Sequence, residues 1–89
     1  MKHVSITVTG RVQGIGFRFS SMEAAYRCGV TGFVMNRPDR SVYIEAEGAE
    51  PGIGQFVDWC RKGPLGAKVT GLEVAEGPVV GYTGFDIRR

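Results

Sequence analysis

The sequence predicts an α+β sandwich in which two helices cover one face of an antiparallel sheet. Three observations lead to this fold class. Apolar and polar side chains alternate in residues 3–9 and again in residues 41–47, as in half-buried strands. Apolar residues recur at helical spacing in two stretches, one after residue 17 and one after Pro51. One-sided alternation is typical of an antiparallel sheet with one covered face.

The first strand turns Val4, Ile6 and Val8 toward the predicted core, and His3 at its start is expected to be exposed. A helix follows from about residue 17, and Gly29 provides a left-handed stop. The helical spacing of this segment is carried by Phe19, Met22 and Tyr26, the last two of which we expect in or near the core.

Residues 30–35 predict a second strand, followed by a turn in which Pro38 fixes φ and Asp39 bonds the local backbone. In the third strand, residues 41–47, the alternation separates two sets of side chains. The inward set is Val42, Ile44 and Ala46, and the outward set is Tyr43, Glu45 and Glu47.

The second helix begins near Pro51 and ends at Gly63-Pro64. Its apolar residues at positions i, i+3, i+4 and i+7 are Ile53, Phe56, Val57 and Cys60. Residues 68–74 predict a fourth strand, with a bulge because Val69 is out of step with Leu72 and Val74. Phe85 and Ile87 predict a short final strand.

The resulting order, β-α-β-β-α-β, is the split βαβ or ferredoxin-like arrangement, built as a single domain over residues 1–89. The third strand then lies between the first and second, whose backbones are roughly 10 Å apart. Arg18, after the first strand, and Asn36, at the end of the second, are therefore expected at one edge of the sheet. Cys28 and Cys60 are expected at opposite edges, too far apart for a disulfide.

The composition is that of a globular domain, with 43% hydrophobic and 22% charged residues. No segment is apolar enough to cross a membrane, no secretory signal is evident, and two isolated cysteines favour reduced thiols in the cytoplasm. A net charge of +2 is weak evidence for a polyanionic partner. Nevertheless, every acidic residue lies at Glu23 or later, so the first 22 residues carry only positive charge.

The stretch TGRVQGIGFRFSS, residues 9–21, connects the first strand to the first helix. Backbone amides at a helix start are unpaired and carry partial positive charge, so they bind anions readily. Gly10, Gly14 and Gly16 allow successive amides to curve into a concave nest. Arg18 lies in the first helical turn, where a cation is unfavourable unless an anion pairs with it. The stretch therefore favours a site for a compact oxyanion.

Other ligand classes fit less well. A dinucleotide GxGxxG motif would require glycine where Phe19 stands, and no P-loop Lys-Ser or Lys-Thr follows the glycines. RNA-binding sheets carry stacking aromatics on two central strands, whereas here only Tyr43 is available. No cluster of ligating residues suggests a metal, so the sequence predicts no metal, cofactor, nucleic-acid or membrane partner.

Four segments, GRVQGIGFR, GFVMNRPDRSVYIEAEG, WCRKGPLGAKV and FDIRR, resemble the acylphosphatase family in order and spacing over nearly the whole chain. The resemblance implies a hydrolase of acyl phosphates in which Arg18 binds the phosphoryl group and Asn36 positions the attacking water. It also implies a phosphate-binding loop made of Arg11, Val12, Gln13, Gly14, Ile15, Gly16, Phe17 and Arg18. Two departures are visible: Arg40 stands where glycine often follows the turn aspartate, and Phe33 where tryptophan is common.

This chemistry suits so small a set of side chains. The leaving group of an acyl phosphate is a carboxylate, whose conjugate acid has a pKa of ~4, so no general acid is required. We expect a monomer that acts on a small acyl phosphate, with phosphate or sulfate as competing anions. Two alternatives stay open: an anion- or carbamoyl-phosphate-binding module such as that attached to a hydrogenase-maturation carbamoyltransferase, and an RNA-binding plait.

Overall fold

The computed structural model describes all 89 residues. Five strands form one sheet, and both helices pack on the same face of it. The elements in chain order are β1 (Lys2–Arg11), α1 (Phe17–Cys28), β2 (Thr31–Asn36), β3 (Val42–Gly48), α2 (Glu50–Lys62), β4 (Lys68–Gly77) and β5 (Phe85–Arg88). None of the helices is long and apolar enough to cross a membrane.

The strands lie in the order β4-β1-β3-β2-β5, which confirms the predicted ferredoxin-like fold and places β3 between β1 and β2. The first four strands pair antiparallel throughout. The short final strand β5 pairs with β2 in parallel and so extends the sheet beyond the antiparallel part. The end of β5 thereby lies beside the end of β2, a neighbourhood that matters for the site described below.

The core lies between the helices and one face of the sheet, as the alternation predicts. Its strand residues include Val4, Ile6, Val8, Val42, Ile44 and Ala46, all essentially inaccessible to solvent. The predicted bulge in β4 is also present. Thr9 pairs with Gly71 but Gly10 with Val69, so Thr70 has no partner and the two halves of β4 present opposite alternation.

The prediction that Tyr26 packs in or near the core is wrong, although α1 itself is confirmed. The side chains of Tyr26 and Phe19 are 69% and 56% exposed. The buried residues of this helix are instead Phe17, Ser21, Ala24 and Ala25. Three of these four are small, so the helix can approach the sheet closely, and its rotation is set by this face rather than by Phe19 and Tyr26.

The prediction that His3 is exposed is wrong, and Glu47, although it lies on the outward face as predicted, is buried as well. They face each other across β1 and β3, and His3 Nδ1 lies 2.7 Å from Glu47 Oε2. The segment that follows β4 covers them, since the backbone amides of Val80, Gly81 and Tyr82 all donate hydrogen bonds to the Glu47 carboxylate. The sheet face opposite the helices is therefore covered at this end by a loop.

Helix α2 has the predicted limits and buries Ile53, Phe56 and Cys60. Both cysteines are free thiols. Burial, with a smaller electrostatic contribution from Cys28, raises the pKa of the Cys60 thiol, so this group is neutral at physiological pH.

Candidate active site

The connection between β1 and α1 depends on glycines in left-handed conformations. Gly14 and Gly16 have φ values of 79° and 78°. Residues with a Cβ atom rarely adopt this region, which is why the loop requires glycine at both positions. Gly16 is also the N-cap of α1, and no side chain caps the helix.

The backbone amides of this connection are free of internal partners. None of the eight amides of residues 12–19 donates a hydrogen bond to another group of the protein. The last three of them form the first turn of α1, where the helix dipole adds partial positive charge and no acidic residue neutralises it. The loop and helix start thus offer a concentration of positively polarised donors.

A cavity of about 180 Å³ lies at this helix start. Its lining residues are Val12, Gly14, Gly16, Phe17, Arg18, Phe19, Asn36 and Ile87. Arg18 and Asn36 therefore contribute to one cavity, as the strand order predicts for residues at the same edge of the sheet.

Arg18 occupies the first turn of α1 and is half-buried. Its Nη1 atom lies 3.4 Å from the carbonyl oxygen of Arg88 in β5, a long hydrogen bond at the rim of the cavity. It forms no ion pair with any carboxylate of the chain. The guanidinium is thus oriented by a neutral backbone group and keeps most of its donors available for an anion.

Asn36 is the last residue of β2, two positions after the fully buried Val34 and hence on the same face of the strand. Its Oδ1 atom is inaccessible to solvent and has no hydrogen-bond partner within the protein. A buried acceptor without a partner destabilises the fold by about 1–3 kcal/mol, and such groups are often found where a ligand or water binds.

Three members of the expected phosphate-binding loop do not line the cavity with their neighbours. Arg11 and Gln13 border a separate depression together with Arg40. Ile15 packs against the hydrophobic core. The side-chain amide of Gln13 donates to the carbonyl oxygens of Arg37 and Ser41, each at 2.9 Å. These three residues support the loop from outside the cavity.

Two residues of the cavity, Phe19 and Ile87, were not among the candidates from the sequence. Ile87 follows the buried Phe85 by two positions, so strand alternation directs both to the helix-covered face. That signal is present in the sequence, but the parallel pairing of β5 beside β2, which brings Ile87 to the site, is not. Helical spacing places Phe19 in one stripe with Met22 and Tyr26, and this pattern does not show that it borders the loop.

A ferredoxin-like sandwich with an amide-lined, cationic cavity at the start of its first helix belongs to the class of small α+β phosphohydrolases. Residues 4–87 match the family model for acylphosphatase. The chain belongs to the acylphosphatase family and is a hydrolase that cleaves the carboxyl–phosphate bond of acyl phosphates to give a carboxylate and inorganic phosphate.

Individual relatives match this chain over its full length. The chain is 44% identical to the acylphosphatase of Methylococcus capsulatus over 90 residues, an alignment that covers 100% of this chain and 98% of that protein. The crystal structure of acylphosphatase from Bacillus subtilis superposes with a TM-score of 0.96 at 38% identity and covers 100% of both chains. The structure of T. kodakarensis HypF matches with a TM-score of 0.87 at 32% identity, and this fold covers 12% of that longer chain.

Proposed function

We propose that the cavity at the start of α1 is the catalytic site, where the loop of residues 11–18 and Arg18 hold the phosphoryl group and Asn36 positions the attacking water. The observation that carries this proposal is the convergence of three features on one cavity. They are the unpaired amides of the loop, the guanidinium of Arg18 and the side-chain amide of Asn36.

The phosphoryl group would bind through charge and hydrogen bonding alone. Phosphoryl transfer proceeds through a loose transition state in which charge is spread over the three equatorial oxygens. Backbone amides at a helix start and a bidentate guanidinium are suited to these oxygens, because both are fixed before the substrate arrives. Gly14 and Gly16 let the phosphoryl group approach the backbone without a Cβ atom in the way.

The water would be held by Asn36. Its side-chain amide lines the cavity and would hold the water by a hydrogen bond that leaves a lone pair of the water free to attack phosphorus. As the water attacks, one of its protons passes to a bound phosphoryl oxygen and the other stays on the incoming oxygen. The carboxylate departs without protonation because its conjugate acid has a pKa of ~4, well below neutral pH, and a side chain that acts as general acid is not needed.

The test is phosphate release from benzoyl phosphate by the wild type, Arg18→Gln and Asn36→Ala. Loss of one preorganised donor should lower kcat on the order of 100-fold or more. Arg27→Gln is the matched control, since Arg27 is an exposed arginine in the last turn of the same helix. Phosphate and sulfate should inhibit the wild type competitively. Wild-type rates in both site variants would refute the assignment.

We further propose that the 89 residues act as one monomeric domain in the cytoplasm. Two free thiols agree with a reducing compartment. Sedimentation at several concentrations tests the monomer, and cell fractionation tests the compartment.

A further inference from the structure

We propose that Phe19 and Ile87 form an apolar platform for the acyl group of the substrate, so that this enzyme favours acyl phosphates whose acyl group is apolar and uncharged. The inference rests on the proposed function of the cavity, because it assigns the part of the lining that the phosphoryl group does not use. The platform is defined by these two side chains alone.

Phe19 is placed beside the phosphoryl site by the helix itself. It directly follows Arg18 in the first turn of α1 and contributes to the same cavity. Its ring is 56% exposed and belongs neither to the core nor to the side chains packed against it. The fold therefore gains little from a phenylalanine at this position, whereas a ligand that extends from the phosphoryl site can cover it.

Ile87 reaches the site from the opposite side. In the parallel pairing of β5 with β2 it lies opposite Val34, two residues before Asn36 on the same face. It is 39% exposed and, like Phe19, does not belong to the core cluster. Two exposed apolar side chains from distant parts of the chain thus border one cavity with the residues that would hold the reacting group.

The charges around the cavity define the acyl group further. Arg18 is the only ionisable residue in the lining, and its guanidinium would be engaged by the phosphoryl group. Arg11 and Arg40 border a different depression, on the side of the loop that faces the β2–β3 turn. An acyl group with a carboxylate or a second phosphate would find no partner on the platform and would be desolvated against apolar atoms, which is unfavourable.

The experiment compares kcat/KM for benzoyl phosphate and acetyl phosphate in the wild type, Phe19→Ala, Phe19→Leu and Ile87→Ala. The ratio of kcat/KM for benzoyl phosphate to kcat/KM for acetyl phosphate should fall about five- to tenfold in Phe19→Ala. The change should come mainly from KM for benzoyl phosphate, because part of the benzoyl ring loses its apolar cover. Phe19→Leu should retain most of the discrimination. Using the ratio within each variant cancels the different intrinsic reactivities of the two substrates.

Tyr26→Ala is the matched control. Tyr26 is an exposed aromatic residue on the same helix, seven positions after Phe19 and outside the cavity. Its removal should leave the ratio unchanged. The proposal is overturned if the ratio stays at its wild-type value in both Phe19→Ala and Ile87→Ala, or if Tyr26→Ala lowers it equally. Failure of the proposed catalytic site would look different, since Arg18→Gln and Asn36→Ala would then hydrolyse both substrates at the wild-type rate.

Discussion

The side-chain amide of Gln13 lies 2.9 Å from the carbonyl oxygen of Arg37, the residue that follows Asn36. The same amide donates to the carbonyl oxygen of Ser41, also at 2.9 Å. One side chain therefore ties the loop before α1 to both ends of the turn between β2 and β3. The distance between the proposed phosphoryl-binding loop and the proposed water-positioning residue depends on this connection.

Substitution of Gln13 should impair catalysis more than substrate binding. Gln13→Ala removes the bridge and should lower kcat about tenfold with a smaller change in KM, because the loop keeps its amides but loses its fixed distance from Asn36. Gln13→Glu should be worse, since a carboxylate would face two carbonyl oxygens without a proton to donate. Steady-state kinetics with benzoyl phosphate measure both. Gln55→Ala, an exposed position on α2, is the control, and wild-type kcat in Gln13→Glu would contradict the positioning role.

Acid should destabilise the fold through Glu47. Burial by itself would raise the pKa of this carboxyl, but the amide of Val80, the ring of His3 and the amides of Gly81 and Tyr82 outweigh it and lower the pKa from 4.5 to about 2. A lowered carboxyl pKa gives stability that is complete above the unfolded value and is lost as the pH falls toward the folded one. Between pH 5 and pH 2 the wild type should therefore lose on the order of 2 kcal/mol more free energy of unfolding than Glu47→Gln. Urea denaturation at pH 5 and pH 2 measures these losses. The same loss in the wild type and in Glu47→Gln would contradict the prediction.

Alkaline pH should destabilise the same cluster through His3. Burial would lower the pKa of the imidazole, but its hydrogen bonds to Glu47 and Glu45 and the charges of these two carboxylates raise it above 6.5. A raised histidine pKa gives stability that is complete below 6.5 and is lost as the pH rises through the folded value. The free energy of unfolding should then be highest between about pH 4.5 and 6.5. His3→Gln should flatten the alkaline decline and also weaken the acid decline, since the His3 ring helps to lower the pKa of Glu47. An unchanged alkaline decline in that variant would show that another group titrates.

Relief of backbone strain in the β2–β3 turn should stabilise the protein. Arg40 has a φ of 75°, the only non-glycine residue with a positive φ in the chain, and its amide donates to the carbonyl oxygen of Arg37. A left-handed conformation costs a residue with a Cβ atom about 1–2 kcal/mol, part of which the greater chain entropy of glycine offsets. Arg40→Gly should therefore raise the free energy of unfolding by about 0.5–1 kcal/mol. Asp39→Ala is the opposing control, because Asp39 accepts hydrogen bonds from the amide and the hydroxyl of Ser41 and its loss should destabilise the turn.

The sequence predicts the fold well because local patterns suffice for it. Strand alternation gives the buried faces of β1 and β3, and the mismatch of Val69 with Leu72 gives the bulge in β4. The order of elements then brings Arg18 and Asn36 to one edge of the sheet. These inferences need only the periodicity of each segment and the chirality of its connections.

What the sequence does not predict depends on contacts between distant segments. His3 and Glu47 look like exposed residues because nothing local shows that the segment after β4 folds over them and satisfies the carboxylate with three amides. Tyr26 fits a helical stripe, yet small residues on another face decide how α1 approaches the sheet. Ile87 enters the cavity only because β5 pairs in parallel with β2. Each error arises where packing outweighs the local pattern.

Two glycines in α2 should respond to alanine in opposite directions. A Cβ atom at Gly54 would meet nothing within 4 Å, so Gly54→Ala replaces a poor helix former by the best one without a clash. It should raise the free energy of unfolding by about 0.5–1 kcal/mol. A Cβ atom at Gly52 would lie 2.3 Å from the carbonyl oxygen of Cys28 at the end of α1, closer than any real contact.

Gly52→Ala must therefore push the two helices apart, since a backbone carbonyl cannot rotate away as a flexible side chain would. The expected loss is about 1–3 kcal/mol, as for other overpacked contacts. Thermal unfolding followed by circular dichroism measures both variants, and the midpoint should rise by about 2–8 °C for Gly54→Ala and fall for Gly52→Ala. Equal midpoints would mean that close packing of α1 against the start of α2 does not contribute to stability. Both variants replace one glycine of the same helix by alanine, so helix propensity alone cannot produce opposite signs.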